Sequence, residues 1–326
     1  MLRIWVDTDI GGDIDDAVAL LCAARHPGVD LIGVSTVYGR VDAKHWLARE
    51  LLVRAGLDVP RLRGCSAAPA VVLAGAATPV RGRKPDEKLY AYEKLAPADL
   101  PPLGSARGVP CDPHGGDPEP AEGPQMPPQE DEARLEAIAS AMRASGAFDL
   151  VTIGPLTNIG RLISHDPTIV ECWRSVTCMA GRLEGEPEYN VLCDPAAAEI
   201  AFRKTNPRLV GLEACSDTLP RREVEALLDT SDPASVFFLE CYRAYRSREG
   251  EDKPDDPLTL FDPIALLSLI APQAFDFQPV RIAMDREGRM RLTDDGFPVS
   301  YALSSDWAQV RPLIERLLGP RSGWAT

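Results

Sequence analysis

Asp7, Asp9, Asp13, Asp15 and Asp16 place five carboxylates within ten residues of a 326-residue chain. The apolar run Ile4-Trp5-Val6 precedes them directly, and Val18-Ala19-Leu20-Leu21 follows. Like charges this close raise one another's pKa unless a cation or an opposing charge offsets them. Arg3 lies before the block and Arg25 beyond the start of the next segment. No basic residue stands among the acids, so a bound metal is the simpler offset. One or two aspartates would suit an ordinary helix start, where the dipole favours them; five without a lysine or arginine suit it poorly. An EF-hand is excluded as well: Asp7, Asp9 and Gly12 fit its first, third and sixth positions, but Val18 stands where the bidentate acid is required.

Positioning such a block takes a strand to deliver it, a glycine turn to bend it and a helix to lead away. That puts the acids at the carboxyl end of a strand, where open α/β sheets bind ligands. The patterning predicts a strand over Leu2 to Asp7, a helix over Asp15 to Ala24, a strand over Leu31 to Tyr38 and a helix over Ala43 to Ala55. This rhythm predicts an α/β fold, an open and mostly parallel Rossmann-like sheet with helices on both faces. No internal domain boundary is visible, so residues 1–326 read as one domain with loop insertions. Pro97 to Pro128 carries ten of the thirty prolines and no period, an insertion or a functional lid. A helix from Glu130 to Ala144 and a strand from Phe148 to Ile153 restore the rhythm, ending in Gly154-Pro155-Leu156-Thr157-Asn158. Further on come a strand over Ser175 to Ala180 and a helix opening at Asp194-Pro195. An apolar helix runs through Ile270 with Asp262 placed to cap it. Short strands between Val280 and Ala302 and a helix over Asp306 to Leu318 close the chain.

A formal net charge of -14 argues against nucleic acid, whose phosphates call for clustered lysine and arginine. No apolar run reaches membrane-spanning length, and Met1-Leu2-Arg3 enters a strand with no signal-peptide pattern. Eight cysteines without a CxxC pair signal neither a zinc site nor a disulfide framework. Reduced thiols in a cytoplasmic protein are the expectation.

Taken together, four stations resemble the nucleoside hydrolase family, enzymes that cleave the N-glycosidic bond of nucleosides to give ribose and a free base. They are Asp7-Thr8-Asp9-Ile10-Gly11 followed by Asp15-Asp16-Ala17, Gly154-Pro155-Leu156-Thr157-Asn158-Ile159, Glu188-Tyr189-Asn190 followed by Asp194-Pro195, and Asp262-Pro263. The resemblance implies a Ca2+ ion held by Asp9, Asp16, Asp262 and the backbone carbonyl of Ile153, a donor set of hard oxygens that suits calcium. It makes Asp15 the base that takes a proton from the attacking water, and Asn158, Glu188 and Asn190 the partners of the ribose hydroxyls. Asp7 becomes a ribose or supporting group. An oxocarbenium-like transition state would follow, and a homodimer or homotetramer is the usual assembly.

Phe261, Arg40 and His114 depart from the family pattern. Phe261 stands where the inosine-uridine branch has a histidine that helps protonate the leaving base. An aromatic at this place marks a purine-preferring branch, and a core phenylalanine beside a helix start is the alternative. Arg40 replaces the asparagine of a glycine-asparagine pair. Asp13 falls in a two-residue insertion and has no implied role. His114 lies about where the family has a His-Gly at the pocket mouth, either contacting the base or exposed in its loop. Two other functions compete: a ribose-binding protein that has lost turnover, and a phosphatase using Asp7-Thr8-Asp9 as an Asp-x-Asp nucleophile.

Overall fold

Strand β1 (Leu2–Thr8) alternates its side chains between two apolar layers, as a two-residue period requires. Ile4 and Val6 pack into one core, while Trp5 packs into the other. The computed structural model describes residues 1–59, 71–83, 92–98, 100, 128–247 and 257–320. His114 and the proline-rich stretch from 101 to 127 lie outside the described residues.

From β1 the chain runs through α1 (Asp15–Arg25), β2 (Val29–Thr36), α2 (Val41–Arg54), β3 (Val71–Ala74), α3 (Pro128–Ala144), β4 (Phe148–Thr152), α4 (Thr157–His165) and β5 (Trp173–Met179). Next come α5 (Tyr189–Cys193), α6 (Pro195–Thr205), β6 (Arg208–Val210), β7 (Thr218–Leu219), α7 (Arg221–Leu227), α8 (Pro233–Arg246) and β8 (Leu258–Thr259). The last elements are α9 (Phe261–Ile270), β9 (Phe275–Met284), β10 (Met290–Leu292), β11 (Phe297–Ser305) and α10 (Trp307–Leu318).

Nine strands form one sheet in the order β10-β9-β11-β6-β5-β4-β1-β2-β3. Pairing is parallel from β3 across to β11, and at the other edge β9 pairs antiparallel with both β11 and β10. The expected open, mostly parallel α/β sheet is what forms. Within this sheet β3 is the strand the sequence pattern did not announce: its Val71-Val72-Leu73-Ala74 run is apolar throughout and carries no alternation. Strand order reverses between β1 and β4, so the loops leaving these two strands diverge and open a crevice at their carboxyl ends.

Helix α9 is apolar on every side and, apart from its termini, buried, as a helix wholly inside a fold must be. Each Leu or Ile taken out of water there contributes about 1.5–3 kcal/mol. Asp262 does not cap it, contrary to the reading from sequence. The cap position is Leu260, and Asp262 sits inside the first turn, free to turn its carboxylate toward the acidic block.

Candidate active site

The turn after β1 and the starts of α1 and α9 meet at the β1/β4 crevice. Carboxylate oxygens of Asp15, Asp16 and Asp262 come within 4.8 Å of one another, all three side chains buried. They line a cavity of about 360 Å³, together with Asp9, Asp13, Glu188, Asn190 and Phe261. That is room for a small ligand.

Each acid is held by a different part of the fold. Thr8, on the β1 face opposite Asp7, donates its hydroxyl to Asp16. Oδ2 of Asp15 accepts two backbone N–H groups at the start of α9, from Phe261 at 2.9 Å and Asp262 at 3.1 Å. Gly154 lets the loop after β4 approach Asp9, since a Cβ there would lie 2.8 Å from both its amide nitrogen and its Oδ1. Burial, reinforced by the neighbouring carboxylates, pushes Asp15, Asp16 and Asp262 well above the usual carboxylate range. Burial is the leading cause at Asp9 as well, with Lys44 opposing it.

These residues fit a hard divalent cation. Three buried oxygens converge, no thiolate or imidazole is among them, and the residue carrying the expected carbonyl ligand, Ile153, lines the same cavity. That carbonyl accepts a hydrogen bond from Asn190 Nδ2 at 3.3 Å. The converging group differs from the implied ligand set in one member, Asp15 standing where Asp9 was expected; Asp9 lines the cavity beside it.

Glu188 and Asn190 face the cavity as expected. Glu188 caps α5 and accepts backbone N–H groups from Asn190, Gly181 and Val191. Its burial lifts the carboxyl to about 7 against these three bonds. Asn190 Nδ2 also donates to the Met179 carbonyl at 3.0 Å, leaving Oδ1 toward a ligand.

Asp7 and Asn158 are not on the cavity wall. Both are fully buried. Asn158 spends its amide on the scaffold, accepting from Ala76 N at 2.7 Å and donating to Asp7 at 2.8 Å and to the Thr36 carbonyl at 3.2 Å. It braces β1, β2 and the segment after β3 rather than reaching a sugar. Asp7 also accepts from the Ser35 hydroxyl, and burial lifts it to about 7. A phosphatase nucleophile must be reachable, so the buried Asp7 removes the Asp-x-Asp reading. Arg40 is exposed at the start of α2 and does not line the cavity. Phe261 does line it, and also packs on the core. Among the described residues no histidine lines it: His26 follows α1, His45 holds the Val72 carbonyl, and His165 ends α4.

Lys44 is the residue that sequence reasoning missed. On α2, 35 residues from Asp9, it is buried, lines the cavity, donates to the Asp9 carbonyl and pairs with Glu93 at 3.2 Å. The acidic block therefore does have an opposing charge, one that only folding brings in. Tyr38, a non-glycine residue at φ 66°, also lines the cavity. Backbone strain of this kind gathers at functional sites.

The model of the family described as inosine-uridine preferring nucleoside hydrolase matches residues 4–310. Non-specific ribonucleoside hydrolase RihC of Escherichia coli is 28% identical over 295 residues, covering 88% of this chain and 85% of that protein. Probable uridine nucleosidase 1 of Oryza sativa is 23% identical, covering 97% and 96%. Among solved structures, the plant nucleoside hydrolase PpNRh1 superposes with a TM-score of 0.71 at 19% identity, covering 97% of this chain and 98% of that one. The overall fold is thus shared, and with a family match over nearly its whole length this chain belongs to the inosine-uridine preferring nucleoside hydrolases, metal-dependent enzymes that cleave N-glycosidic bonds.

Proposed function

We propose that this enzyme hydrolyses ribonucleosides to ribose and free base, uses calcium and favours purines. The observation that carries the reading is the convergence of Asp15, Asp16 and Asp262 within 4.8 Å at a cavity of small-ligand size. Asp16 and Asp262, with Asp9 and the Ile153 carbonyl beside them, would hold the ion. When bound, it supplies a Lewis acid that activates water and orients the sugar diol.

The chain's own groups do the rest. Asp15 has one oxygen fixed by two amides, and its other oxygen is the proton acceptor for the attacking water. The grouping of Asp15 with Asp16 and Asp262 favours a second assignment, in which Asp15 joins the ligands and Asp9 takes the proton. Glu188 and Asn190 Oδ1 receive ribose hydroxyls, and the acid-lined wall suits the positive charge that develops on the sugar. Phe261 offers a ring to the base, worth about 1 kcal/mol of stacking. Assembly as a homodimer or homotetramer in the cytoplasm belongs to the same reading.

Ribose release from inosine, uridine and 4-nitrophenyl riboside, with and without a chelator, tests it. We expect cleavage of all three, inosine ahead of uridine, loss of at least ~100-fold in rate on chelation and recovery on adding calcium. Ribose binding without turnover of the nitrophenyl riboside, which needs no general acid, would establish a binding protein instead. Full activity in the chelator would remove the metal.

A further inference from the structure

Three backbone carbonyls of the acidic turn are taken by groups from distant parts of the chain. Lys44 Nζ holds that of Asp9, Tyr92 N holds that of Gly11 at 3.2 Å, and the Tyr92 hydroxyl holds that of Asp13 at 3.0 Å. Lys44 and Tyr92 are both buried, as is Glu93, the partner of Lys44. Glu93 in turn lies directly under the turn: a Cβ at Gly11, whose φ is +122°, would meet its Cγ at 2.5 Å. Among the described residues, Lys44 is the one basic side chain lining the cavity.

A turn carrying this many carboxylates gains little from its own sequence. The acids repel one another, and Gly11 and Gly12 leave the backbone many conformations to lose. Something outside the turn must hold it, and the ammonium is placed to do so. It grips the backbone at the residue whose side chain enters the cavity, and its charge faces Asp9 and Asp16.

We propose that Lys44, locked by Glu93 and assisted by Tyr92, is a positioning residue that holds the acidic turn in its cation-ready shape before any cation binds. The inference rests on the hydrolase reading, since it assumes a divalent ion at these acids. A preorganised site binds more tightly because the ordering cost is already met. Lys44 therefore raises calcium affinity through geometry, although its charge alone would lower it.

The two effects have opposite signs, and the paired variant Lys44→Met with Glu93→Gln separates them. It removes one positive and one negative charge together, so the net field at the acids changes little and no buried charge is stranded. Isothermal titration of metal-free protein with calcium is the readout, with thermal unfolding in chelator as the control. We expect a Tm within a few degrees of wild type and calcium affinity weaker by about tenfold. Affinity equal to or tighter than wild type would overturn the inference, because neither a merely structural pair nor a counter-charge predicts a loss. Should the paired variant fail to fold, Tyr92→Phe removes one turn contact without changing shape. It should weaken calcium by about fivefold, the scale of one lost hydrogen bond; no change there overturns the inference equally. A wild-type protein that neither binds calcium nor releases ribose from inosine defeats the hydrolase reading and this inference with it. A wild type that does both, beside a paired variant matching it in affinity, defeats only the role of Lys44.

Discussion

The backbone amide of Asp262 donates to Oδ2 of Asp15 at 3.1 Å, joining positions 247 residues apart. Two helix starts face each other here. α1 brings the carboxylates of Asp15 and Asp16, while α9 brings Asp262 together with the unpaired N–H groups that every helix start leaves over. The partial positive charge of the α9 terminus is aimed at Asp15. That contact helps three buried acids share one place at a tolerable cost, and it makes Asp15 the residue most worth separating into roles.

Substituting Asp15→Asn keeps the shape and removes the charge. We expect kcat to fall by about 10²–10³-fold, and calcium titration to decide why. Affinity within about threefold of wild type assigns proton abstraction to Asp15, whereas a loss of about tenfold, or 1.4 kcal/mol, moves it into the ligand set and gives the base to Asp9. Undiminished kcat would exclude both.

Phe261 lines the cavity and also packs against the core, so its removal should be made conservatively. Phe261→Leu retains apolar volume but loses the aromatic face. Steady-state kinetics should show kcat/KM for inosine reduced about fivefold, the scale of one stacking contact, with uridine little changed. An equal loss on both substrates would mean that the ring serves packing alone.

Glu188 makes the metal-free protein pH-sensitive in a definite direction. Burial raises its folded pKa to about 7 from 4.5, so between these values the folded state binds a proton that the unfolded state has released. Stability in chelator therefore falls as pH rises from 4.5 to 7, by up to on the order of 3 kcal/mol for this group. Glu188→Gln should flatten that part of the profile in denaturant titrations. A profile with the same slope in the variant would locate the effect elsewhere.

Local pattern made much of the fold legible. A strand, an acidic glycine turn and an apolar helix are each encoded by neighbouring residues, and the repeated rhythm implies parallel strands between helices. Boundaries shifted by a few residues where tertiary pairing extends a strand, as in β9 and β11. Four-residue β3 escaped because its run is apolar throughout, with no alternation to mark it as a strand. The cavity lining was legible where its residues stand in motifs, at Asp9, Asp15, Asp16, Glu188, Asn190 and Asp262. It was misread at Asn158, whose amide is consumed by the Ala76 N–H, the Thr36 carbonyl and the Asp7 carboxylate, all far off in sequence.

By itself the sequence determined that acids crowd one strand end, that the sheet is mostly parallel and that those acids call for an offsetting charge. Those follow from residue type and spacing along the chain. Only the tertiary structure decided that Asp262 closes on Asp15, that Asp7 and Asn158 stand behind the wall and that Lys44 enters among the acids. Each of these depends on distances between segments tens to hundreds of residues apart, and such distances are set by packing across the sheet rather than by any local preference.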